Sequence, residues 1–212
     1  MALAYLKELD ANSRIALWKI EESAEQLVSY LQLDDAEKAK LESLAKGKRT
    51  LHWLATRVLL RYLLQTPEYI NCPSDPNGKP YLPDFPYEIS LTHSYDYAGV
   101  MLCSSGVCGI DLEIVKEKVL RIQHKFLKPE ELAFIDPAHQ VNQLYACWCA
   151  KEAVYKLQGN RGVSFLEDML IEPFQYSAQG VMNVLLNKSG KQERFQVYYE
   201  RFNEYMLGYV NV

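Results

Sequence analysis

Two stretches of this 212-residue chain can be laid over each other without a gap. Trp53-Leu-Ala-Thr-Arg57-Val-Leu-Leu-Arg61 matches Trp148-Cys-Ala-Lys-Glu152-Ala-Val-Tyr-Lys156. Both lack Gly and Pro, both read as helix, and each is followed by a loop and then strand-like segments. An echo of this kind predicts an α+β protein of two similar α/β halves related by pseudo-twofold symmetry, each a long helix packed on a mostly antiparallel sheet. The boundary is expected between residues 105 and 106, giving halves 1–105 and 106–212. The copies differ in charge: the first carries Arg57 and Arg61 where the second carries Glu152 and Lys156. A cleft between them would have cations on one wall and carboxylates on the other.

Local patterning fills in the halves. Residues 2–8 and 14–20 read as strands around a turn at Asp10-Ala11-Asn12-Ser13. Glu21–Leu31 is an amphipathic helix. Asp34 or Asp35 caps another that runs to Lys46, where Gly47 interrupts. Lys48–Gln65 is a longer helix with Leu51, Leu54, Val58 and Tyr62 at core spacing, stopped by Pro67. A turn-rich loop over 71–80 contains Asn77-Gly78, which favours a tight reversal. Strands follow at Tyr87–His93 and Tyr97–Cys103, then Ser104-Ser105-Gly106 turns into a further strand. In the second half, Val119–Leu127 is a mixed helical run, Pro129 sits at a helix start, and Asn142–Gln158 is the long helix ended by Gly159 and Gly162. From Met169 to Val212 the chain reads as strands rich in Tyr, Phe and Val.

Composition narrows the partners. A formal net charge of -4 gives no global field for nucleic acid, so an anionic ligand must meet a local patch. Five Cys without a Cys-x-x-Cys pair argue against zinc and against a disulfide framework, and for reduced thiols in a cytoplasm. The N-terminus does not read as a signal peptide, and no stretch approaches the roughly 20 apolar residues of a membrane span.

The chemistry concentrates in Gly109-Ile-Asp-Leu-Glu113-Ile114, where Ile110, Leu112 and Ile114 share one strand face and Asp111 and Glu113 the other. Carboxylates two residues apart on a strand lie about 6.5–7 Å from each other, within reach of a shared hard cation. Glu152 can supply a third, with Lys156 one turn on. Oxygen ligands without His or paired Cys suit magnesium, which keeps waters and also binds substrate phosphates. The plainer alternative is a solvated strand face and a surface ion pair. Ser90-Leu-Thr92-His93-Ser94 offers donors to an oxyanion. Lys46, Lys48 and Arg49 at a helix start oppose the macrodipole, a placement that an anionic ligand would explain.

These residues carry a resemblance. Gly109–Glu113 together with Trp148–Lys156 resembles the paired motif of the 4′-phosphopantetheinyl transferase superfamily, surfactin-synthetase-activating type; Asn77–Tyr81 and Leu91–Ser94 resemble its two accessory motifs, in the expected order. The resemblance covers about residues 46–156, and the chain length is similar to that of the single-chain pseudodimers. It implies Mg2+-dependent transfer of phosphopantetheine from coenzyme A to a serine of an apo acyl or peptidyl carrier protein, by a monomer. It further implies Asp111, Glu113 and Glu152 as metal ligands, with Glu152 also the base. Lys156, Thr92 and His93 would meet the coenzyme A phosphates, while Lys79 and Lys48 or Arg49 would hold its nucleotide end. Arg57 matches a family arginine without a fixed role. Fatty-acid, polyketide and peptide synthesis all remain open as pathways.

Two other readings stand beside this one: a non-catalytic family member that binds coenzyme A or a carrier protein, and a magnesium-dependent phosphohydrolase built on the same carboxylates. Lys118, Arg121, Lys125 and Lys128 recur at three- and four-residue steps beside Val119, Ile122 and Phe126. If helical, they form a basic stripe with an apolar ridge, suited to steering an acidic carrier.

Overall fold

The computed structural model describes residues 3–44, 47–188 and 190–212. Among these residues nine strands form two antiparallel sheets. The first contains β1 (Leu3–Glu8), β2 (Ser13–Lys19), β3 (Glu88–Ser94) and β4 (Tyr97–Cys103) in the order β1-β2-β4-β3. The second contains β5 (Cys108–Ile114), β6 (Met169–Ile171), β7 (Gln179–Lys188), β8 (Lys191–Phe202) and β9 (Tyr205–Asn211) in the order β5-β9-β8-β7-β6. A long helix packs on each: α3 (Lys48–Leu64) on the first sheet and α5 (Gln140–Gln158) on the second. The α+β expectation, with a long helix against an antiparallel sheet in each half, holds.

Strand alternation explains the layering. In β2, Ala16 and Trp18 pack under α3, whereas Ile15 and Leu17 face the other sheet. In β4, Val100 and Leu102 face α3, whereas Met101 and Cys103 face the other sheet. Ile110, Leu112, Leu207 and Tyr209 meet them from the second sheet. The two sheets thus pack face to face, with the helices outside.

The sheets also meet at their edges. β3 and β5 are both edge strands, and an unpaired edge leaves backbone donors exposed. Here Ser90, Thr92 and Ser94, on one face of β3, accept from the amides of Ile110, Leu112 and Ile114 at 3.0, 3.0 and 3.1 Å. Side-chain hydroxyls replace a backbone ladder between the two edges.

The smaller helices are shorter than the pattern predicts. α1 spans Ala24–Ser29, held by a capping box from Ser23 and Gln26, and α2 spans Asp35–Ser43, capped by Asp34. Lys46 lies outside the described residues. Tyr62, expected in the core, is 39% exposed. Val119–Leu127 is not an α-helix but two 3-10 turns, Glu117–Arg121 and Gln123–Lys125. Val119 and Phe126 point into the core at 1% exposure each, so the expected apolar ridge is not on the surface. A short α4 (Pro129–Leu132) follows. No helix among the described residues is long and apolar enough to cross a membrane.

Candidate active site

Two glycines decide how closely α5 approaches the second sheet. A Cβ on Gly109 would lie 1.9 Å from the Ala153 carbonyl oxygen, and one on Gly208 would lie 2.8 Å from the Cys149 Cβ. Gly208 pairs directly with Asp111 across β5 and β9. The helix backbone therefore rests on the sheet on either side of Asp111, where a larger residue would hold it off. Lys156 reaches across this contact: its Nζ donates to Asp111 Oδ1 at 2.8 Å and to the Ile110 carbonyl at 2.9 Å.

The hydroxyls of β3 serve the carboxylates as well as the edge. Thr92 Oγ1 donates to Asp111 Oδ1 at 3.3 Å, and Ser94 Oγ donates to Glu113 Oε2 at 3.0 Å. Each accepts an amide of β5 and donates to an acid on the same strand, so the pair orients Asp111 and Glu113. The Thr92 hydroxyl bonds to Leu112 and Asp111 and the residue is 3% exposed, so in this structure it positions an acid. His93, next along the strand, faces the opposite way and stacks on His52 with ring centroids 4.4 Å apart.

The acids share an electrostatic environment. Burial, then the Asp111 charge, pushes the Glu152 carboxyl up to about 7, with Lys156 pulling against them and Glu113 adding to the rise. Burial and Asp111 also raise Glu113, while the Ser94 hydrogen bond and the charges of Lys118 and Lys156 oppose the shift. Burial, His52 and Lys156 lower His93, so its imidazole is neutral at neutral pH. Carboxyls raised by burial and a neighbouring like charge are a common feature of sites that move protons.

The donor set fits a hard divalent ion. Asp111 Oδ2 is buried and has no hydrogen-bond partner among the described residues, so it is free to accept from a ligand or cation. Among the described residues no three His, Cys, Asp or Glu side chains form a ready-made cage. Magnesium does not need one, since it typically takes one or two carboxylates plus waters and substrate phosphates.

Two cavities share the walls Gly78, Pro80 and Leu91. One, of about 410 Å³, is lined by Lys40, Arg49, His52, Arg57 and His93. Trp53 also lines it, and its buried indole N–H has no acceptor among the described residues. The other, of about 210 Å³, lies between the halves and includes Lys79 and Lys156. Lys79 spans the junction, with Nζ donating to the Leu157 carbonyl at 3.1 Å and pairing with Glu88 at 3.3 Å.

Other predicted cations are dispersed. Arg49 lines the larger cavity, but Lys48 lies 3.3 Å from the centroid of the Tyr95 ring, which Lys116 also approaches at 4.6 Å. Arg57 lies over Trp53 and pairs with Glu37 at 3.1 Å. Arg61 turns away from the cleft to the Pro67 carbonyl, so the echo's second cation is not part of the wall. His52 and Arg161 join the cavities without having been singled out in the sequence. Lys151 was also missed: fully buried, it pairs with Glu131 at 2.8 Å and donates to the carbonyls of Phe126 and Phe165 at 2.7 and 3.0 Å. It pins the turns before α4 and the loop after α5 to the helix that carries Glu152.

Residues 107–210, the stretch that holds Asp111, Glu113, Glu152 and Lys156, match the sequence model of the 4′-phosphopantetheinyl transferase superfamily. Over that stretch, about half of its length, the chain is similar to that superfamily. It is 29% identical over 125 residues to the 4′-phosphopantetheinyl transferase AcpT of Escherichia coli (strain K12), a match covering 56% of this chain and 63% of that protein. It is also 30% identical over 143 residues to a putative 4′-phosphopantetheinyl transferase of Synechocystis, covering 58% and 57%. A 4′-phosphopantetheinyl transferase of Bacillus subtilis is 32% identical over 91 residues, covering 41% and 40%. The matched stretch therefore spans less than two thirds of these relatives.

Proposed function

We propose that the protein transfers the 4′-phosphopantetheine arm of coenzyme A to a serine of an apo acyl or peptidyl carrier protein, with Mg2+ as cofactor. The observation that carries this reading is the electrostatic coupling of Asp111, Glu113, Glu152 and Lys156, with Lys156 and Lys79 lining the inter-half cavity and Arg49 and His93 the cavity next to it. The serine hydroxyl attacks the phosphorus that bears the pantetheine arm. A new Ser O–P bond forms, the diphosphate P–O bond breaks, and 3′,5′-ADP leaves with the electron pair. Glu152, whose raised carboxyl suits proton exchange near neutral pH, takes the serine proton directly or through a water. Lys156 faces the phosphoryl oxygens and is itself oriented by Asp111 and the Ile110 carbonyl. Held by Asp111, Glu113 and Glu152, Mg2+ would neutralise charge building on the diphosphate.

Arg49 and Lys79 hold the nucleotide end, with His93 as a neutral donor. Residues 1–105 then supply the nucleotide wall and 106–212 the acids, so a monomer has a complete cleft. Lys116, Lys118, Arg121 and Lys125 are exposed on the turns after β5 and form the docking face for an acidic carrier. The five free, buried cysteines suit a reducing cytoplasm.

The test is mass spectrometry of a panel of apo-carriers incubated with coenzyme A and Mg2+. One phosphopantetheine arm should be added by the native chain and none by Glu152→Gln. No addition to any carrier, or free phosphate released without a carrier, would overturn the reading.

A further inference from the structure

Beyond Gly159 the resemblance assigns nothing, yet the chain folds back there over the cleft. Gly159 ends α5 in the left-handed conformation (φ 65°) and packs against the Lys79 side chain. Two residues later Arg161 lies against the Asn77–Lys79 turn. Its Nε donates to the Asn77 carbonyl, and its guanidinium occupies the space beside Gly78, where a Cβ would lie 2.6 Å from NH2. Gly78 has φ 88°, so the turn both needs glycine for its backbone and leaves room for the arginine.

Arg161 thus forms part of the wall of the 210 Å³ cavity, together with Ile89, Leu91 and Tyr155. The other two cations lining this cavity have carboxylate partners. Lys156 is held by Asp111 and Lys79 by Glu88. No carboxylate among the described residues pairs with Arg161, whose two terminal nitrogens remain available. The larger cavity next door gathers cations and imidazoles that suit phosphate, whereas this one is faced mainly by aliphatic and aromatic carbon. A mainly apolar cavity bordered by a planar guanidinium suits a flat heteroaromatic ring, because arginine stacks on such faces and donates in plane to ring nitrogens.

We infer that Arg161 is a substrate-binding residue that closes this cavity over the purine base of the coenzyme. The inference rests on the transferase reading for the identity of that ligand. It deepens the reading by adding a contact from the second half to the nucleotide, which the Lys79 and Arg49 wall grips from the first. Closing the cavity also tethers the Asn77–Lys79 turn to the loop after the catalytic helix, so base recognition and the position of Lys156 are mechanically linked.

Isothermal titration of the full chain tests it, with 3′,5′-ADP, coenzyme A and ribose 3,5-bisphosphate, the last being the same bisphosphate without its base. Arg161→Ala should weaken 3′,5′-ADP and coenzyme A about tenfold, equivalent to about 1.4 kcal/mol, and leave the baseless ligand unchanged. Arg161→Lys, which keeps the charge and loses the plane, should recover only part of the loss. Equal weakening of the baseless ligand, full recovery by lysine, or unchanged nucleotide binding by Arg161→Ala would overturn it. The outcomes separate the two readings. A native chain that binds coenzyme A but modifies no carrier defeats the transferase reading alone, and one that transfers while Arg161→Ala binds 3′,5′-ADP normally defeats this inference alone. A native chain that binds neither nucleotide overturns it outright.

Discussion

Gly109→Ala isolates the contact on which the site geometry depends. The added methyl would sit 1.9 Å from the Ala153 carbonyl oxygen and 2.9 Å from the Leu157 amide nitrogen. Both belong to helix backbone, so no side chain can rotate out of the way. Relief to about 3 Å requires the sheet and helix to separate locally by about 1 Å, and overpacking of this kind costs about 1–3 kcal/mol. At about 2–4 °C per kcal/mol for a chain of this size, the melting temperature should fall by several degrees. The catalytic loss should be larger. Lys156 lies one turn beyond Ala153, and its contacts to Asp111 and Ile110 are 2.8 and 2.9 Å long. A misplacement of about 1 Å can cost about a hundredfold in rate. Steady-state transfer at saturating coenzyme A, alongside thermal unfolding, reads both effects. A variant with native kcat and a native melting temperature would refute the claim that close helix–sheet approach sets the position of Lys156.

Four further outcomes follow from the same geometry. Lys151→Met or Glu131→Gln alone should destabilise the fold by about 3–5 kcal/mol, because either leaves a buried group without its partner, and the double variant should cost clearly less than the sum; denaturant unfolding checks this. Thr92→Val removes the acceptor of the Leu112 amide and a donor to Asp111, so stability should fall by about 1–3 kcal/mol and Mg2+ affinity should drop, as read by calorimetry. Glu152 has a carboxyl raised from 4.5 to about 7 in the fold, so the folded state holds a proton that the unfolded state releases. The stability this adds is fully present below about pH 4.5 and is lost as pH rises through 7; in metal-free thermal unfolding, Glu152→Gln should flatten that slope. Reversing Lys118 and Arg121 should raise KM for the carrier and leave coenzyme A binding alone, and an unchanged carrier KM would remove the docking face.

What could be read in advance was whatever local periodicity controls. Ile110, Leu112 and Ile114 against Asp111 and Glu113 marked β5, and the Gly- and Pro-free runs marked α3 and α5. Long-range partners were not visible. Ser90, Thr92 and Ser94 resemble oxyanion donors until β5 is known to be the edge beside them. Nothing local marks Lys151 as buried, because the Glu131 that neutralises it comes from a separate short helix. The basic stripe assumed α-helical spacing, and the 3-10 turns instead send Val119 and Phe126 inward. Arg61 aligns with Lys156 in the echo, but the Pro67 carbonyl holds it at the far end of α3. Arg161 had no motif to mark it, and only the fold of the loop after Gly159 brings it to the cleft.

The central claim is that acids from β5 and α5 gather around a single divalent ion at the mouth of the coenzyme cleft. Anomalous diffraction from crystals grown with Mn2+ and coenzyme A tests it directly. The account predicts one strong peak bound by oxygens of Asp111, Glu113 and Glu152, directly or through water, and by the coenzyme diphosphate. A bound coenzyme with no peak there, or with manganese elsewhere on the chain, would contradict it.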